Sequence, residues 1–396
     1  MNNTVLSIFY FIAFSHALML IIALWHRSGN DQSGRILAVV VALLAYKLFE
    51  GGSLYSGLYQ YIPHFLDLMP GMVLLLGPVF YGYVRKVLGY PDMEVKVWLL
   101  HLTPWIILMV VFNADSVLQP AEQKVAMWHA VLNSYSETRI LPLEIVVRLL
   151  AIKVHLMTYL LLSWKELSKL KDSIDSIRSD NSAEILMQLR LLAITFIALE
   201  AIWVSLFLAQ QYAGLGTLNQ VSEIWLLFIG AVVIAMGFSG LQYPDLVFTR
   251  EERALVDIKV VPVDSEKIKY IHSSLSENVT NEIAKLIESG MQNDHLYLND
   301  KLTLSDLAKF FDLKSHTLSQ VINQGMKTNF YRLINSYRVQ HAIDLLDNEN
   351  ITWSIERVAL ESGFSNRVTF NKAFKDQMMC TASQYKEKTK QRQETA

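Results

Sequence analysis

The density of charged residues changes abruptly near residue 243 of this 396-residue sequence. Residues 1–243 contain 15 Lys and Arg and 16 Asp and Glu, about one charge in eight positions. Residues 244–396 contain 20 and 21, about one in four. The whole chain is only 18% charged, against ~25% in an ordinary soluble domain. The sequence therefore predicts an apolar region, 1–243, that joins a region compatible with water.

Seven segments of the apolar region approach the ~20 residues that a membrane-spanning helix needs. They are 4–25, 36–57, 65–85, 97–113, 141–163, 188–210 and 221–241. Pro104 interrupts the fourth segment, although neighbouring helices can satisfy the backbone groups that a proline frees in a membrane. We therefore expect a polytopic all-α bundle of about seven spans, with a short interfacial helix over Val125–Leu132.

Lys and Arg residues are unevenly divided between the two alternating sets of connections. One set holds ten of them, and the other set, which includes the N-terminus, holds only Lys124 and Arg139. Basic residues are enriched in cytoplasmic loops. The distribution therefore predicts an N-terminus outside the membrane and a C-terminal region in the cytoplasm, which an odd number of spans also requires.

Six ionisable residues inside the predicted spans form a candidate sensor charge network, namely Lys47, Glu50, Arg148, Lys153, His155 and Glu200. A charge at membrane depth costs at least about 3 kcal/mol unless it is paired or hydrated, so such groups usually face the bundle interior. Two interpretations remain open: a cavity that senses a signal or ligand, or structural pairing of Glu200 with Lys153 or Arg148. No metal-ligand spacing or cofactor motif is present, so neither a metal nor a cofactor is predicted.

Residues 244–288 have the composition of a charged linker that ends in an amphipathic helix. Within Asn278–Ser289, the apolar residues Val279, Ile283, Leu286 and Ile287 have the spacing of one helical face. Such a face is expected to pack on the next domain or on a second copy of the chain, which leaves a homodimer open. A domain over 289–390 and a polar tail over 391–396 follow.

Two helix-turn-helix patterns lie within 289–390. Each has a small residue where the two helices would touch, Ala308 or Ala359, and a turn residue that tolerates positive φ, Asp312 or Gly363. Ser365 is the predicted N-cap of the last reading helix. The predicted second helices are Ser315–Gln324 and Asn366–Gln377, and a long helix over Asn329–Leu346 joins the two motifs.

Each second helix presents an outward face at positions i, i+3, i+4 and i+7, which is polar throughout in the first motif and polar except for Val368 in the second. Amide and hydroxyl groups at such positions can read base edges, and Lys or Arg can contact guanine or phosphate. The joining helix spans about 27 Å at ~1.5 Å per residue, which is comparable with the ~34 Å between successive major grooves. The candidate DNA-binding residues are Ser315, His316, Ser319, Gln320, Asn323, Arg367, Val368, Asn371, Lys372 and Lys375.

Residues 294–390 resemble the AraC/XylS family of bacterial transcription regulators. The resemblance rests on Leu304-Ser305-Asp306-Leu307-Ala308, Leu318–Asn323, Tyr337-Arg338-Val339, Gly363-Phe364, Phe370–Lys375 and Ser383-Gln384-Tyr385. It implies a domain of two helix-turn-helix units that binds double-stranded DNA. The apolar region, with Leu76-Gly77-Pro78 and Tyr81–Arg85, also looks like the multi-span sensor region of membrane-bound members, which implies the bacterial inner membrane and the lipid bilayer as surroundings.

These features favour a membrane-embedded one-component transcription regulator rather than an enzyme. No P-loop, zinc-hydrolase or kinase-like motif occurs, and the single cysteine, Cys380, excludes a disulfide scaffold. The alternative is a membrane transporter or a scaffold with an accessory helix-turn-helix domain. The signal, the operator and the sign of regulation do not follow from the sequence.

Overall fold

The computed structural model describes residues 3–27, 32–66, 71–112, 118–136, 140–170, 174–180, 182–240, 248, 252, 276–348 and 350–395. Within these ranges the chain forms helices and turns without a strand, apart from one isolated antiparallel bridge between Arg178 and Thr303. The all-α prediction is therefore confirmed. The predicted boundary at residue 243, most of the linker 244–288, and Arg139 and Lys171 lie outside the described residues.

The chain divides into two compact units. The apolar unit comprises residues 1–168 and 189–248, and the helix-turn-helix unit comprises residues 169–188 and 249–396. Apart from a single turn of helix at Pro63–Leu66, the described α-helices of residues 1–248 are α1 (Asn3–Arg27), α2 (Gln32–Ser56), α3 (Val73–Val87), α4 (Val95–Ile107), α5 (Ala121–Ser136), α6 (Leu143–Lys169), α7 (Ser182–Ala213) and α8 (Leu218–Gly240).

Five of these helices, α1, α2, α6, α7 and α8, are long and apolar enough to cross a membrane. The predicted third and fourth spans are helical but shorter. Helix α3 has 15 residues, about 22 Å, and contains Pro78, while α4 runs into a π-helical turn over Leu108–Phe112. The predicted interfacial segment is part of the 16-residue helix α5.

Helix α1 packs along α2 and α8, and α2 also packs on α3. The contact faces carry buried small and aliphatic residues such as Ala13, Ala17 and Leu48. The opposite face of α1 leaves Ile12 and Met19 59% and 70% exposed. Large apolar side chains in such numbers are unfavourable in water but suit lipid, so this distribution agrees with a membrane bundle.

Seven further α-helices lie within the described residues of the helix-turn-helix unit. They are α9 (Glu277–Asn293), α10 (Leu304–Phe310), α11 (Ser315–Gln320), α12 (Phe330–Asp347), α13 (Ile355–Glu361), α14 (Arg367–Met378) and α15 (Ala382–Thr395). Of the stripe predicted on α9, Ile283 and Ile287 are buried, whereas Val279 and Leu286 are 38% and 49% exposed. The predicted tail continues as the end of α15.

Helix α12 links two hydrophobic cores. Its first turns place Phe330 and Ile334 in a core with α9, α10 and α11, and its last turns place Val339 and Ala342 in a core with α13 and α14. Asn329 caps α12 by accepting from the backbone N–H of Arg332 at 2.8 Å. The helix thus positions both helix-turn-helix motifs through one continuous backbone.

Candidate nucleic-acid interface

The first motif consists of α10 and α11. Thr303 and Asp306 form a capping box at the start of α10, in which each side chain accepts from the backbone N–H of the other. Ala308 is buried where the helices meet, and Asp312 has a φ of 52°, so both predicted roles are confirmed. Helix α11 begins after Lys314, whose side chain provides no cap.

The second motif consists of α13 and α14. Ala359 is fully buried, and Gly363 has a φ of 84° in the turn, as predicted. The predicted cap at Ser365 is wrong, because Asn366 is the N-cap and accepts from the backbone N–H of Thr369 at 2.9 Å. Phe370 and Phe374 are buried beneath the helix, which leaves the other side of α14 open to solvent.

The exposed side of α14 carries the predicted reading residues. Arg367, Val368, Lys372 and Lys375 are exposed, and Asn371 is half-buried. Lys372 places its Nζ atom 5.8 Å from the centre of the Tyr331 ring. Helix α14 is the second helix of its helix-turn-helix motif. The three cations on its accessible face provide donors for phosphates and base edges.

The reading face of α11 differs from the prediction. Ser315, His316 and Gln320 are half-buried, but Ser319 is buried, with 9% exposure, and therefore does not belong to an exposed face. Asn323 donates from Nδ2 to the Ser319 carbonyl oxygen at 2.7 Å, which holds it against its own helix. Ser319 is buried within the α-helical part, whereas from Val321 to Gly325 the backbone is a π-helix, whose longer repeat rotates Asn323 out of the predicted register.

Lys314 is a candidate contact that the sequence analysis missed. Its side chain is exposed directly before α11, and a cation at that place can meet the phosphate backbone. The signal that points to it is its N-cap position beside a reading helix.

Arg338, at the middle of α12, is a buried cation that ties three segments of the unit together. Its guanidinium donates to the carbonyl oxygens of Tyr297 at 2.7 Å, Asn299 at 2.7 Å and Ser179 at 3.2 Å, and to Oδ1 of Asn335 at 3.2 Å. Burial lowers the pKa of Arg338 to about 10, which still leaves it charged at neutral pH. The residue was identified from the sequence only as part of the family resemblance.

Residues 174–180 lie in the chain between α6 and α7 but belong to the helix-turn-helix unit. The Ser179 hydroxyl donates to the Leu302 carbonyl oxygen at 3.0 Å, and the Leu304 backbone N–H donates to the Ile177 carbonyl oxygen at 3.0 Å. Ile174 and Ile177 are buried, with 2% exposure each. We call this segment the docked loop.

An ion pair further secures the docked loop. Arg178 donates from Nε and Nη2 to the two carboxylate oxygens of Glu252, at 2.9 and 3.0 Å, and Glu252 is fully buried. Burial alone would lower the pKa of Arg178, but the hydrogen bonds and charge of Glu252 raise it above its ordinary value. A two-pronged pair of this kind is geometrically specific as well as strong.

Gly363 marks the closest approach between the second motif and the segment before α10. A Cβ atom at this position would lie 2.5 Å from the Tyr297 carbonyl oxygen and 2.8 Å from the Leu298 Cα atom. Arg338 lies nearby, with its guanidinium carbon 5.7 Å from the centre of the Phe364 ring. The turn of the second motif therefore rests on the same short segment that Arg338 binds.

The six candidate sensor residues separate into several environments. Lys153 and Glu200 form a buried ion pair at 2.9 Å, with Trp225 donating to the same carboxylate at 3.0 Å, and Lys47 pairs with Glu50. Of the two partners predicted for Glu200, the structure has Lys153. Arg148 is exposed on α6, and His155 lies beside Tyr159, with their ring centres 5.0 Å apart.

Comparison with known proteins bears on the helix-turn-helix unit alone. Residues 307–388, about a fifth of the chain, match a family model described as a helix-turn-helix domain. Uncharacterized HTH-type transcriptional regulators of Staphylococcus aureus strains COL and MW2 are each 27% identical to this chain over 115 residues. That match covers 29% of this chain but spans only 14% of the length of those relatives. No solved structure matches the chain.

The geometry and the comparisons agree on the C-terminal region. It has two stacked helix-turn-helix motifs, a joining helix and an exposed basic face on α14, and its sequence matches the corresponding domain family. The C-terminal region of this chain therefore contains a helix-turn-helix domain over residues 307–388, a kind of domain that binds DNA.

Proposed function

We propose that the chain is a membrane-embedded one-component transcription regulator that binds a specific DNA sequence and responds to a signal received in the apolar unit. The DNA-binding part rests on the helix-turn-helix domain and on the exposed Arg367, Lys372 and Lys375. The membrane part rests on five helices of sufficient length and apolar character. The distribution of basic residues supports an N-terminus outside a bacterial inner membrane and a DNA-binding domain in the cytoplasm.

The observation that carries the regulatory part of the proposal is the docked loop. It connects α6 to α7, so a displacement of either helix along its axis pulls on residues 174–180. These residues are hydrogen-bonded to Arg338 and Leu302, at the joint between the two motifs. A movement of the membrane helices is therefore transmitted through the covalent connection and these hydrogen bonds. It would change the distance between the two reading helices, α11 and α14.

Binding to specific DNA is tested by mapping the genomic fragments that the full-length protein occupies in cells. We expect a small number of sites that share a sequence motif, and we expect Arg367→Ala to abolish their enrichment. Lys309→Ala is the control, because Lys309 lies in the last turn of α10 rather than on a reading helix. Occupancy without a shared motif, or unaffected by Arg367→Ala, would refute the proposal.

Coupling is tested at the ion pair of the docked loop. Arg178→Met removes the cation that pairs with the buried Glu252 and should change basal reporter transcription at least severalfold while membrane insertion is unaltered. Lys165→Met, which removes an exposed cation from α6, is the matched control and should leave transcription unchanged. Equal output from both variants and the parent chain would contradict the coupling.

Topology is tested by cysteine labelling of intact cells in a Cys380→Ser background. We expect an impermeant thiol reagent to label Glu122→Cys, on α5, and to leave Lys165→Cys unlabelled until the cells are opened. Both native side chains are exposed, so reagent access depends on the side of the membrane. Labelling of Lys165→Cys alone in intact cells would reverse the proposed orientation.

A further inference from the structure

A cavity of about 590 Å³ lies between α3, α4 and α6, entirely within the apolar unit. Tyr81 and Arg85 contribute from α3, His101 from α4, and His155, Tyr159 and Leu162 from α6. The Tyr159 hydroxyl and the Nδ1 atom of His101 are 2.6 Å apart, so these two walls are joined by a hydrogen bond. The cavity combines a cation, two imidazoles and two phenols with apolar side chains.

Two nitrogen atoms on this cavity are buried without a hydrogen-bond partner among the described residues: Nε of Arg85 and Nδ1 of His155. The Arg85 guanidinium instead lies over the rings of Tyr81 and Tyr90, at 5.9 and 4.5 Å from their centres. Buried polar atoms in native proteins almost always have a partner, so Arg85 and His155, which line the cavity, keep hydrogen-bonding capacity that the described residues do not use.

The charge balance of the cavity favours an anion. Asp92 and Glu94 also line it, but each carboxylate is paired, with Lys86 and Lys96 respectively, at 2.7 Å. Among the described residues, no carboxylate lies within ion-pair distance of Arg85. Within the described part of the chain the guanidinium is thus a cation without a neutralising carboxylate, and guanidinium groups bind phosphate and carboxylate oxygens through paired hydrogen bonds.

The surface of α6 beside the cavity is apolar and open. Leu162, which lines the cavity, is 38% exposed, and its neighbours Val154 and Leu161 are 64% and 47% exposed. Arg85 lies in the last turn of α3, at the end that the loop charges assign to the cytoplasmic side. An acidic group at Arg85 would therefore sit at head-group depth, with an apolar chain along α6.

We propose that this cavity binds the acidic head group of an anionic membrane lipid from the cytoplasmic leaflet. Arg85 and the imidazole of His155 donate to oxygen atoms of the phosphate, and the acyl chain lies on the exposed apolar face of α6. Basic pockets between membrane helices on the cytoplasmic side have the chemistry to bind such head groups. The inference rests on the membrane placement in the proposed function but not on DNA binding, and it deepens that proposal by naming a lipid as the signal received.

The test is native mass spectrometry of the full-length protein, purified in a neutral detergent and mixed with phosphatidylglycerol or phosphatidylcholine of identical acyl chains. We expect phosphatidylglycerol to bind at least tenfold more tightly than phosphatidylcholine. Arg85→Gln should remove that preference. The matched control is Lys165→Gln, which removes an exposed cation of α6 that does not line the cavity and should preserve the preference.

A second variant keeps the proposal testable if Arg85→Gln fails to assemble. Thr158→Trp leaves every charge in place and fills part of the cavity, since Thr158 lines it, so it should also reduce phosphatidylglycerol binding. The proposal would be overturned by equal binding of the two lipids or by equal losses from Arg85→Gln and Lys165→Gln. Displacement of the lipid by millimolar inorganic phosphate would overturn it as well. Lipid preference in a protein that occupies no specific DNA would refute the proposed function and leave this site standing.

Discussion

Replacing Gly363 by alanine puts a methyl group where the structure has no room for one. The φ of 84° lies in the left-handed region, which costs an L-residue roughly 1–2 kcal/mol. The new Cβ would also lie 2.5 and 2.8 Å from backbone atoms of Tyr297 and Leu298, against ~3.5–4.0 Å for favourable contact. Because both neighbours are backbone atoms, the second motif must shift away from the segment before α10.

Overpacking of this kind costs typically about 1–3 kcal/mol. Added to the backbone cost, it gives a destabilisation of about 2–5 kcal/mol for Gly363→Ala. Each ~1.4 kcal/mol is a factor of ten in an equilibrium constant, so amide exchange limited by opening of this joint should accelerate at least about thirtyfold. The same shift displaces α14, so specific DNA binding should fall as well.

The assay is hydrogen exchange with mass spectrometry on the full-length protein, followed in peptides that cover 294–302 and 355–378. The control is Asp312→Gly at the corresponding turn of the first motif, where φ is already 52°. That change relieves strain rather than adding it, so exchange around α10 and α11 should slow or stay the same. If Gly363→Ala alters exchange by less than about threefold, the close contact does not hold the two motifs together and the reasoning is refuted.

Two further predictions concern individual side chains. Arg367→Ala should weaken binding to the best DNA site by about 1–3 kcal/mol while sparing random DNA. Lys375→Ala should weaken binding to both DNAs alike and reduce the slope of the logarithm of the binding constant against the logarithm of the salt concentration by about one. Equal small losses for the two variants in titrations of both DNAs would contradict this assignment. Glu200→Gln leaves Lys153 buried without its partner and should destabilise the apolar unit by about 3–5 kcal/mol. Adding Lys153→Met should restore most of that lost stability, as measured by thermal unfolding. A double variant no more stable than Glu200→Gln would contradict the stabilising role of this ion pair.

Local rules predicted the helix-turn-helix unit closely. The joining helix, predicted over Asn329–Leu346, runs from Phe330 to Asp347, and the turn positions Asp312 and Gly363 have the positive φ that their residue types allow. These features depend on neighbours in the sequence, where apolar spacing, caps and turn residues act. The reading residues of α14 are exposed for the same reason, because Phe370 and Phe374 fix which side of the helix is buried.

The features that the sequence did not predict depend on distant contacts or on a change of helical repeat. The prediction for Asn323 assumed 3.6 residues per turn, and the π-helix from Val321 onward breaks that assumption. The docked loop has only Ile174 and Ile177 as apolar residues that could indicate burial, and nothing local indicates that Ser179 meets Arg338 across about 160 positions of sequence. The cavity at Arg85 likewise lies between three helices, and no single segment of the sequence indicates that these helices pack together.

The joint formed by Gly363, Arg338 and the segment before α10 has a consequence for the DNA. If the two reading helices are held at one spacing, the duplex must adapt to the protein, and it does so by bending or twisting between the two contacted groove segments. The energy of that deformation depends on which base-pair steps lie in between, with flexible pyrimidine–purine steps costing least. Base pairs that no side chain touches would then contribute to the choice of operator through their stiffness, and loosening the joint would make the protein more tolerant of rigid sequences.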